Sequence, residues 1–546
     1  MLDRALIDGL FPADLPDPSH WEQRYPPRDL PEGAKVTRFA PSPTGFVHIG
    51  GVYVAMIAKD VAHRSGGAYL VRVEDTDQAR EVAGVAEQFA RVFAYFDIAP
   101  DEGDPDGGYG PYRQSERERI YLSYARELMR RGEAYPCFCT REELAAITEQ
   151  QQAAKLPTGY YGSWARWRDA DPDEVAARLR VGEPYVVRFR SPGVEGRASY
   201  TDAIRGRVEH EANRNDVVIL KTSANSPRLP TYHFAHAVDD HLMRVNLVIR
   251  GDEWLSSVPL HLQLFAALGF EQPTYAHIAP LMKLDGSARR KLSKRRDPEA
   301  SVDFYVDSGY PAEAVLYYLR GLANGRLAEL PLADALSSPI RLEDCGVAGP
   351  LVDLVKLADI SGDHIATLPG PVILDSVVEW ARSRDPELVS VLDDERTLAE
   401  RAVDVERVGV ENPRKDLTRW SDFRALYGFF FPSLFTLVTD PGDERFGGLD
   451  VTLVRKLAAD FADTYAWNDD QPTWFGQIRE LAARHGFAPN PKTYKKDPDA
   501  YPGMLRDAAN VIRVALTGSS RSPDLHAVAG ALGVDEVTRR VRALAG

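Results

Sequence analysis

The chain has 546 residues, a net formal charge of -15 and an apolar fraction of 44%. This length predicts roughly three to five domains, and the composition excludes a wholly disordered chain. Its three cysteines are too few for a disulfide framework, no apolar run approaches the roughly 18 residues of a membrane-spanning helix, and Met1-Leu2-Asp3 lacks the basic flank of a signal peptide. We therefore expect a cytoplasmic protein that does not bind a membrane.

The first regular elements predict a nucleotide-binding unit. After a Pro- and Asp-rich leader with little periodicity, the pattern predicts an apolar strand at 36–40, a helix at 52–64 and a second apolar strand at 69–73. The second strand ends in the acidic run from Glu74 to Asp77. A strand, a helix and a strand within some forty residues are typical of parallel sheets, which bind ligands at the carboxyl ends of their strands.

The connection between the first strand and the helix reads RFAPSPTGFVHIGG from Arg38 to Gly51. Its Pro, Ser, Thr and Gly residues predict a turn, and His48-Ile49-Gly50-Gly51 lead into the helix. A helix N-terminus of this kind can offer free backbone N–H groups, a favourable dipole and little steric bulk to a phosphate. We expect a phosphate-binding site here.

The middle of the chain predicts an insertion into the sheet. Ser115-Glu116-Arg117-Glu118 is typical of a capping box and predicts a helix that ends at Arg131. Mixed signals then predict helices at 141–155 and 173–180 and a strand at 185–190, and the strand pattern returns at 216–220 and 246–249. The parallel domain is therefore predicted to be split in two.

A basic segment, KLSKR at Lys291 to Arg295, lies more than two hundred residues after the first signature. A basic loop of this kind can bring lysine ammonium groups to a polyphosphate. From about residue 312 onward the periodic segments are helical, as at 314–322, 351–360 and 451–465. The C-terminal half is therefore predicted to be mostly α-helical.

These segments together resemble the glutamyl-tRNA synthetases, a family of bacterial-type class I aminoacyl-tRNA synthetases. HIGG resembles the HIGH signature of that class, and KLSKR resembles its KMSKS signature. Four further motifs resemble the glutamate-specific family: APSPTG at 40–45, VEDTD at 73–77, PTYHFAHAVDDHLM at 230–243 and VIRGDEW at 248–254. The likeness continues through NPRKD at 412–416 and VIRVALTG at 511–518, so it covers nearly the whole chain.

The resemblance implies an α/β fold with a split Rossmann-like parallel-sheet catalytic domain, an α+β insertion and a mostly α-helical C-terminal half. We expect the following regions: an N-terminal extension at 1–35, the catalytic domain at 36–113 and 230–285, an inserted domain for the tRNA acceptor end at 114–229, a stem-contact region with KLSKR at 286–369, and an anticodon-binding region at 370–546.

The activity that the resemblance implies is ATP-dependent ligation of L-glutamate to tRNA through a glutamyl-adenylate, with release of AMP and pyrophosphate. The α-carboxylate of glutamate is already ionised, so catalysis needs positioning and charge stabilisation rather than a protein nucleophile. Mg²⁺ is expected on the phosphates and on water. The expected partners of a monomeric enzyme are tRNA, L-glutamate and ATP.

Candidate site residues follow from this chemistry and from the resemblance. The catalytic residues are expected to be His48, Lys291 and Lys294, and the ATP-binding residues His48, Gly50, Gly51 and Lys294. A glutamate pocket needs an arginine for the distal carboxylate and an acid for the ammonium. The glutamate-binding residues are expected to be Arg38, Ala40, Ser42, Glu74, Tyr232, His236 and Arg250. Which arginine meets which carboxylate stays open.

Two groups of side chains have the residue types of metal ligands, but we do not expect either group to bind a metal. The first group combines three histidines and two aspartates, which we expect to shape the pocket: His233, His236, His241, Asp239 and Asp240. Cys137 and Cys139 resemble half of a zinc site found in some family members, yet no Cys or His occurs between Cys139 and His210. Two ligands cannot complete a tetrahedral site, so we do not expect zinc or another protein-bound metal.

Three departures from the family pattern bear on specificity. Gln78 follows VEDTD where Arg is common, His236 stands where many members have Asn, and Arg296-Asp297 stand where KLSKR often continues with His-Gly.

Two alternatives to a glutamate-tRNA ligase therefore stay open. The chain could be a paralogue with altered amino-acid or tRNA specificity, or a non-catalytic tRNA-binding regulator. The long C-terminal tail and the intact signatures argue against both.

Overall fold

The computed structural model describes residues 2–43, 45, 47–77, 84–193 and 196–546. The chain forms two compact units. The first comprises Met1–Phe304 and Leu316–Asp353, and the second comprises Tyr305–Val315 and Leu354–Gly546. Within the described ranges, no helix is long and apolar enough to cross a lipid bilayer. The departure at Gln78 lies outside the described residues.

The start of the chain contains two short helices that the sequence pattern did not predict, α1 (Arg4–Asp8) and α2 (Pro18–Arg24). The predicted strand–helix–strand unit follows as β1 (Val36–Phe39), α3 (Ile49–Arg64) and β2 (Ala68–Val71). β1 and β2 pair in parallel, with Arg38 opposite Leu70. The predicted parallel unit is therefore confirmed.

The middle of the chain mixes helices and antiparallel strands. Its elements are α4 (Val85–Tyr95), α5 (Glu118–Arg130), β3 (Ala134–Cys137), α6 (Arg141–Ala153), α7 (Pro172–Arg180), β4 (Val186–Phe189), β5 (Arg197–Asp202), β6 (Gly206–Glu211) and β7 (Val218–Leu220). The strands β3, β4 and β7 form one antiparallel sheet, and β5 and β6 form a hairpin. The hairpin was missed because its residues are mostly polar.

The predicted capping box at Ser115 is wrong. A 3₁₀ turn at Gln114–Arg117 precedes α5, and the Ser115 side chain does not cap the helix. The Ser115 hydroxyl instead donates to Asp75 Oδ2 at 2.7 Å, while its backbone N–H donates to Asp75 Oδ1 at 2.8 Å. A nearly buried carboxylate from the end of the second strand therefore competes successfully for the capping group.

The second half of the parallel sheet contains α8 (Tyr232–Leu242), β8 (Leu247–Gly251), α9 (Val258–Leu268) and β9 (Thr274–Ile278), followed by the hairpin strands β10 (Met282–Asp285) and β11 (Ala288–Lys291). β8 pairs in parallel with β9. Asn246, just before β8, exchanges hydrogen bonds with the backbone of Val36 at 2.9 and 3.2 Å, which places β8 beside β1. The strands before and after the middle of the chain therefore meet in one parallel arrangement.

The β5–β6 hairpin joins this sheet at its far side. Asp202, the last residue of β5, lies opposite Tyr275 of β9 in a parallel pairing, which gives the strand order β6-β5-β9-β8. Apolar residues from the parallel strands pack together in the core, among them Val36, Leu70, Val248 and Tyr275. This packing brings the carboxyl ends of β1, β8 and β9 to one edge.

The named elements after β11 are helices, as the sequence predicted: α10 (Val302–Ser308), α11 (Ala312–Ala323), α12 (Leu332–Ser337), α13 (Leu354–Thr367), α14 (Gly370–Ala381), α15 (Pro386–Asp394), α16 (Arg396–Asp404), α17 (Phe423–Tyr427), α18 (Val451–Thr464), α19 (Gln471–Arg484), α20 (Pro491–Lys496), α21 (Leu505–Thr517), α22 (Leu525–Leu532) and α23 (Val534–Ala545). The second unit has two apolar cores of its own. One is built around Phe461, Trp474 and Ile512, and the other around Leu374, Phe423 and Tyr427.

Candidate active site

A cavity of about 420 Å³ lies where the carboxyl ends of the parallel strands meet the N-terminus of α3. Ten of the twelve predicted site residues line it: Arg38, Ala40, Ser42, His48, Gly50, Gly51, Glu74, Tyr232, Arg250 and Lys291. The two exceptions are His236 and Lys294. Segments that are more than two hundred residues apart in the sequence therefore converge on one cavity.

Asp240 of α8 is a completely buried carboxylate that connects two arginines behind the cavity. Arg38 Nε donates to its two oxygens at 3.3 and 3.2 Å, and Arg72 Nη1 donates to Oδ1 at 2.6 Å. Burial alone would raise the pKa of Asp240, but the charges of Arg38 and Arg72 outweigh it and hold that pKa well below its usual range. Asp240 is therefore an anion that orients Arg38.

Glu74 supplies the carboxylate at the cavity wall. Its backbone N–H donates to the Pro41 carbonyl at 2.9 Å, so the segment after β2 continues beside the segment after β1. Its Oε1 accepts from Nη2 of the buried Arg72 at 3.1 Å. Burial raises the pKa of Glu74, while the charges of Arg72 and Arg38 act in the opposite direction. A cation in the cavity would therefore stabilise its ionised form.

Arg250, at the end of β8, is 5% exposed and is held by three uncharged groups. Nε donates to His277 Nε2 at 3.1 Å, Nη1 to the Tyr232 hydroxyl at 3.4 Å and Nη2 to His261 Nδ1 at 3.2 Å. A guanidinium has five N–H groups. The contacts in the described part of the chain engage three of them, which leaves one N–H on Nη1 and one on Nη2.

The histidines around Arg250 are neutral near pH 7. Burial, together with nearby cationic charge, lowers the pKa of His261 well below its usual range. Burial also lowers the pKa of His277, although its hydrogen bond to Asp202 acts in the opposite direction. Because arginine can only donate, His277 Nε2 and His261 Nδ1 must both be unprotonated acceptors. Arg250 therefore has no ion pair among the described residues, in contrast to Arg38.

Tyr232 and Trp254 form the aromatic wall of the cavity, with ring centroids 4.2 Å apart. His236 lies behind this wall. Its side chain is completely buried, stacks on Tyr232 with centroids 5.9 Å apart, and places Nδ1 2.8 Å from Asp240 Oδ2. His236 does not line the cavity, and its contact with glutamate stays a prediction.

His48 caps the N-terminus of α3. Its Nδ1 accepts from the Gly50 backbone N–H at 2.8 Å, and the Gly51 N–H donates to the His48 carbonyl at 2.7 Å. His48 therefore already engages the N–H groups of both glycines. A Cβ at Gly50 would lie 2.9 Å from His48 Nδ1, and one at Gly51 would lie 3.2 Å from the Phe39 ring. Both glycines are needed for this packing.

The His48 ring also meets the KLSKR segment. Burial, followed by the charge of Lys294, lowers the pKa of His48 to about 4, whereas a hydrogen bond to the Leu292 backbone acts in the opposite direction. Because Nδ1 accepts from Gly50, the neutral ring carries its proton on Nε2. The two signatures therefore meet directly in the structure.

Asp297, one of the departures from the family pattern, holds the KLSKR turn. This buried carboxylate accepts from Arg290 Nη1 and Nη2 at 2.6 and 2.7 Å and from the Ser293 N–H at 2.9 Å. Hydrogen bonding to Arg290 is the largest effect that lowers the pKa of Asp297. The sequence analysis noted Asp297 only as a departure, but a carboxylate two residues after KLSKR is a signal that it could have used.

The two lysines of KLSKR have different surroundings. Lys291 lines the cavity with a side chain that is 58% exposed, and its ammonium lies 3.4 Å from Glu253. Lys294 does not line the cavity in this conformation, although its charge influences His48. Partial desolvation lowers the pKa of Lys294.

The two groups of potential metal ligands have other contacts. Asp239 accepts from Arg117 Nε at 2.7 Å and from the Tyr121 hydroxyl at 2.8 Å. The thiols of Cys137 and Cys139 lie 3.6 and 3.4 Å from the Tyr160 hydroxyl. Across the residues that the structure describes, no group of three or more His, Cys, Asp or Glu side chains could hold a metal ion.

Two sequence profiles of known families match separate parts of the chain. The sequence profile described as the catalytic domain of class I tRNA synthetases (E and Q) matches residues 35–333, and a profile described as an anticodon binding domain matches residues 504–545. The glutamate–tRNA ligase of Clostridium perfringens is 42% identical over 98% of this chain and 99% of the relative. That of Acetivibrio thermocellus is 41% identical over 99% of both chains.

Solved structures agree with these sequence relatives. A crystal structure of a glutamate tRNA ligase from Elizabethkingia meningosepticum, in complex with its amino acid, superimposes with a TM-score of 0.73 at 26% identity. The match covers 93% of this chain and 99% of that chain. The likeness therefore includes the helical C-terminal region as well as the parallel sheet.

Proposed function

Since the chain belongs to the glutamate–tRNA ligase family of class I tRNA synthetases, we propose that Arg250 and Arg38 hold the two carboxylates of glutamate in the cavity. The reaction of the enzyme is ligation of glutamate to tRNA with ATP. The observation that carries the assignment is the state of Arg250, which is buried, has only neutral partners and keeps one N–H on each terminal nitrogen. Two such donors suit a bidentate carboxylate.

Arg250 gives the cavity its selectivity for an acid over an amide. Its charge has no carboxylate partner among the described residues, so the substrate must supply one. Glutamine would present an NH₂ group to a donor-only guanidinium, which leaves a buried donor unpaired. Glu74 and Ser42, which line the same cavity, suit the α-ammonium, because one accepts as an anion and the other as a hydroxyl.

His48, Gly50, Gly51, Lys291 and Lys294 form the proposed ATP side. The α-carboxylate of glutamate attacks the α-phosphorus, the bond to the β-phosphate oxygen breaks, and pyrophosphate leaves with the electron pair. Lysine ammonium groups stabilise the charge that develops on it. When ATP binds, His48 Nε2–H would give up its hydrogen bond to the Leu292 carbonyl and donate to a phosphate oxygen instead. Mg²⁺ would enter on the phosphates and neutralise part of their charge.

The second step transfers the glutamyl group to a ribose hydroxyl of the terminal adenosine of tRNA and releases AMP. We assign residues 114–229 to the acceptor end, 286–369 to stem contacts and 370–546 to the anticodon. The profile match at 504–545 supports the last assignment. The proposed solution state is a monomer. Single-stranded ends of RNA are read by stacking and by base-edge hydrogen bonds, so aromatic and basic side chains of these regions are the groups to examine.

The test is a charging assay on the purified full-length chain with ATP, Mg²⁺ and total tRNA, with glutamate and glutamine in separate reactions. The charged tRNAs are then sequenced. We expect glutamate to be charged and glutamine to be rejected by a factor of at least about 10³. Comparable charging of both amino acids would overturn the role of Arg250, and the sequenced tRNAs would show whether a glutamine-type tRNA also receives glutamate.

A further inference from the structure

Asp202 and His277 form a buried pair that continues from Arg250 into the β5–β6 hairpin. His277 Nδ1 lies 2.6 Å from Asp202 Oδ2, and neither side chain is exposed. On its other side, His277 Nε2 accepts from Arg250 Nε at 3.1 Å. Three side chains therefore form a continuous row of hydrogen bonds that ends at the cavity.

Asp202 belongs to a part of the chain that lies outside the parallel strands. It ends β5, in the region assigned to the acceptor end, and it pairs with Tyr275 of β9. Its Oδ1 accepts from the backbone N–H groups of Ile204 and Arg205, both at 3.0 Å. These two amides fix the carboxylate, and its Oδ2 accepts from both Nδ1–H and the backbone N–H of His277, at 2.6 and 3.1 Å.

We propose that Asp202 and His277 are positioning residues that set the direction of Arg250 and thereby the affinity for glutamate. The inference rests on the proposed function of Arg250. The Asp202 carboxylate accepts Nδ1–H of His277, which keeps the lone pair on Nε2. That lone pair accepts Nε–H of Arg250, and the two terminal nitrogens of Arg250 are then directed away from β9. Neither positioning residue lines the cavity.

The tautomer of His277 is the physical basis of this effect. If His277 carried its proton on Nε2, two N–H groups would face each other at 3.1 Å and Arg250 would have to turn away. Asp202→Asn produces this situation with almost no change of shape. The backbone N–H groups of Ile204 and Arg205 retain the amide oxygen, which the His277 backbone N–H also reaches at 3.3 Å. The Asn NH₂ group therefore faces His277 Nδ1 and forces that nitrogen to accept.

A matched control is available in the same region. Asp216 is also completely buried, and it accepts from the Tyr135 hydroxyl and Arg168 Nη1 at 2.6 Å each and from the Ser191 N–H at 2.8 Å. These partners do not contact Arg250. Asp216→Asn therefore perturbs a buried carboxylate of the insertion without changing the hydrogen bonds that connect Asp202, His277 and Arg250.

The experiment measures steady-state charging by the full chain with saturating tRNA. We expect Asp202→Asn to raise KM for glutamate about 10- to 100-fold, while kcat and KM for ATP stay within about twofold. Asp216→Asn should leave KM for glutamate within about twofold. An unchanged glutamate KM in Asp202→Asn, or the same kinetic change in both variants, would overturn the proposal.

A second pair of variants decides the question even if Asp202→Asn fails to fold. Gln at position 277 can donate to Asp202 and accept from Arg250, whereas Leu can do neither. We expect His277→Gln to keep KM for glutamate within about fivefold of the wild type and His277→Leu to raise it at least tenfold. Equal values for the two would contradict the inference.

A double variant separates this inference from the proposed function. Arg250→Lys lacks Nε–H, so adding Asp202→Asn to it should raise KM for glutamate by less than about twofold. If Asp202→Asn raised KM for glutamate by about 10- to 100-fold in the Arg250→Lys background too, Asp202 would act through a residue other than Arg250. Failure of the proposed function would appear differently, because the wild-type chain itself would then charge tRNA with glutamine as readily as with glutamate.

Discussion

The arginine end of the cavity, with Arg38 and Arg250, and its lysine end, with Lys291 and Lys294, hold their cations in different ways. Both arginines are at most 5% exposed and are fixed by buried partners from other strands and helices. Lys291 ends β11 and Lys294 follows it, and both side chains are exposed. A fixed charge in a buried site discriminates between ligands, whereas an exposed lysine can follow a charge that moves during the reaction.

The largest effect is expected at the lysine end. Lys294→Ala should lower kcat by about 10²- to 10³-fold and change KM for glutamate by less than about threefold, because the ammonium acts on charge that develops in the transition state. Arg295→Ala, a change of the adjacent exposed cation, is the control. Steady-state charging kinetics measure both, and near-wild-type turnover in Lys294→Ala would remove this lysine from catalysis.

The arginine end should respond with the opposite kinetic pattern. Arg38→Ala should raise KM for glutamate roughly 30- to 100-fold with a smaller change in kcat, since it removes a charge-assisted contact and releases Asp240. Arg28→Ala breaks an ion pair with Glu102 at 2.5 Å and serves as the control, because neither residue lines the cavity. An unchanged glutamate affinity in Arg38→Ala would place this arginine outside the binding site.

An intermediate effect should follow from loosening the KLSKR turn. Asp297→Asn weakens the contacts with Arg290 and Ser293, so we expect kcat to fall about tenfold while KM for glutamate stays constant. Asp285, which pairs with Arg290 and Arg296, is more exposed than Asp297. Asp285→Asn should therefore change kcat by less than twofold. If both variants had the same turnover, the fixed turn would have no part in catalysis.

The smallest effect concerns pH. Burial lowers the pKa of His48 and of His233 to about 4 and that of His236 to about 3, from an ordinary value of 6.5. The unfolded chain therefore binds protons before the folded chain does. The stability contributed by these neutral rings is complete above pH 6.5 and falls as the pH approaches 4.

Between pH 7 and pH 6 each such histidine should lower the free energy of unfolding by roughly 0.7 kcal/mol. Thermal unfolding of the full chain at the two pH values measures the total, and His233→Gln should reduce the difference by removing one titrating ring. A midpoint that is equal at both pH values would contradict the assignment of these rings as buried and neutral.

The sequence predicted the lining of the cavity better than the contacts behind it. Arg38 and Arg250 were found because each lies in a recognisable local motif. Their partners are distant in the sequence: Asp240 lies 202 residues after Arg38, and His277 lies 27 residues after Arg250. Only the pairing of strands brings these groups together, and periodicity contains no information on which strands pair.

Errors in the fold have similar physical causes. The β5–β6 hairpin was missed because RASYTD and GRVEHE lack the apolar alternation of a half-buried strand, and only one of their twelve residues is buried. Ser115 was predicted to cap a helix, but Asp75 from the segment after β2 accepts its hydroxyl. The strand–helix–strand unit was predicted correctly because its signals are local and strongly apolar.

The most direct test of the account measures how Arg250 discriminates between an acid and an amide. Non-hydrolysable sulfamoyl analogues of glutamyl-adenylate and glutaminyl-adenylate are titrated calorimetrically into the wild-type chain and into Arg250→Gln. We predict that the wild type binds the glutamyl analogue at least about 10³-fold more tightly and that Arg250→Gln reduces this ratio to about tenfold or less. The same ratio in both proteins would contradict the central claim that Arg250 selects the carboxylate.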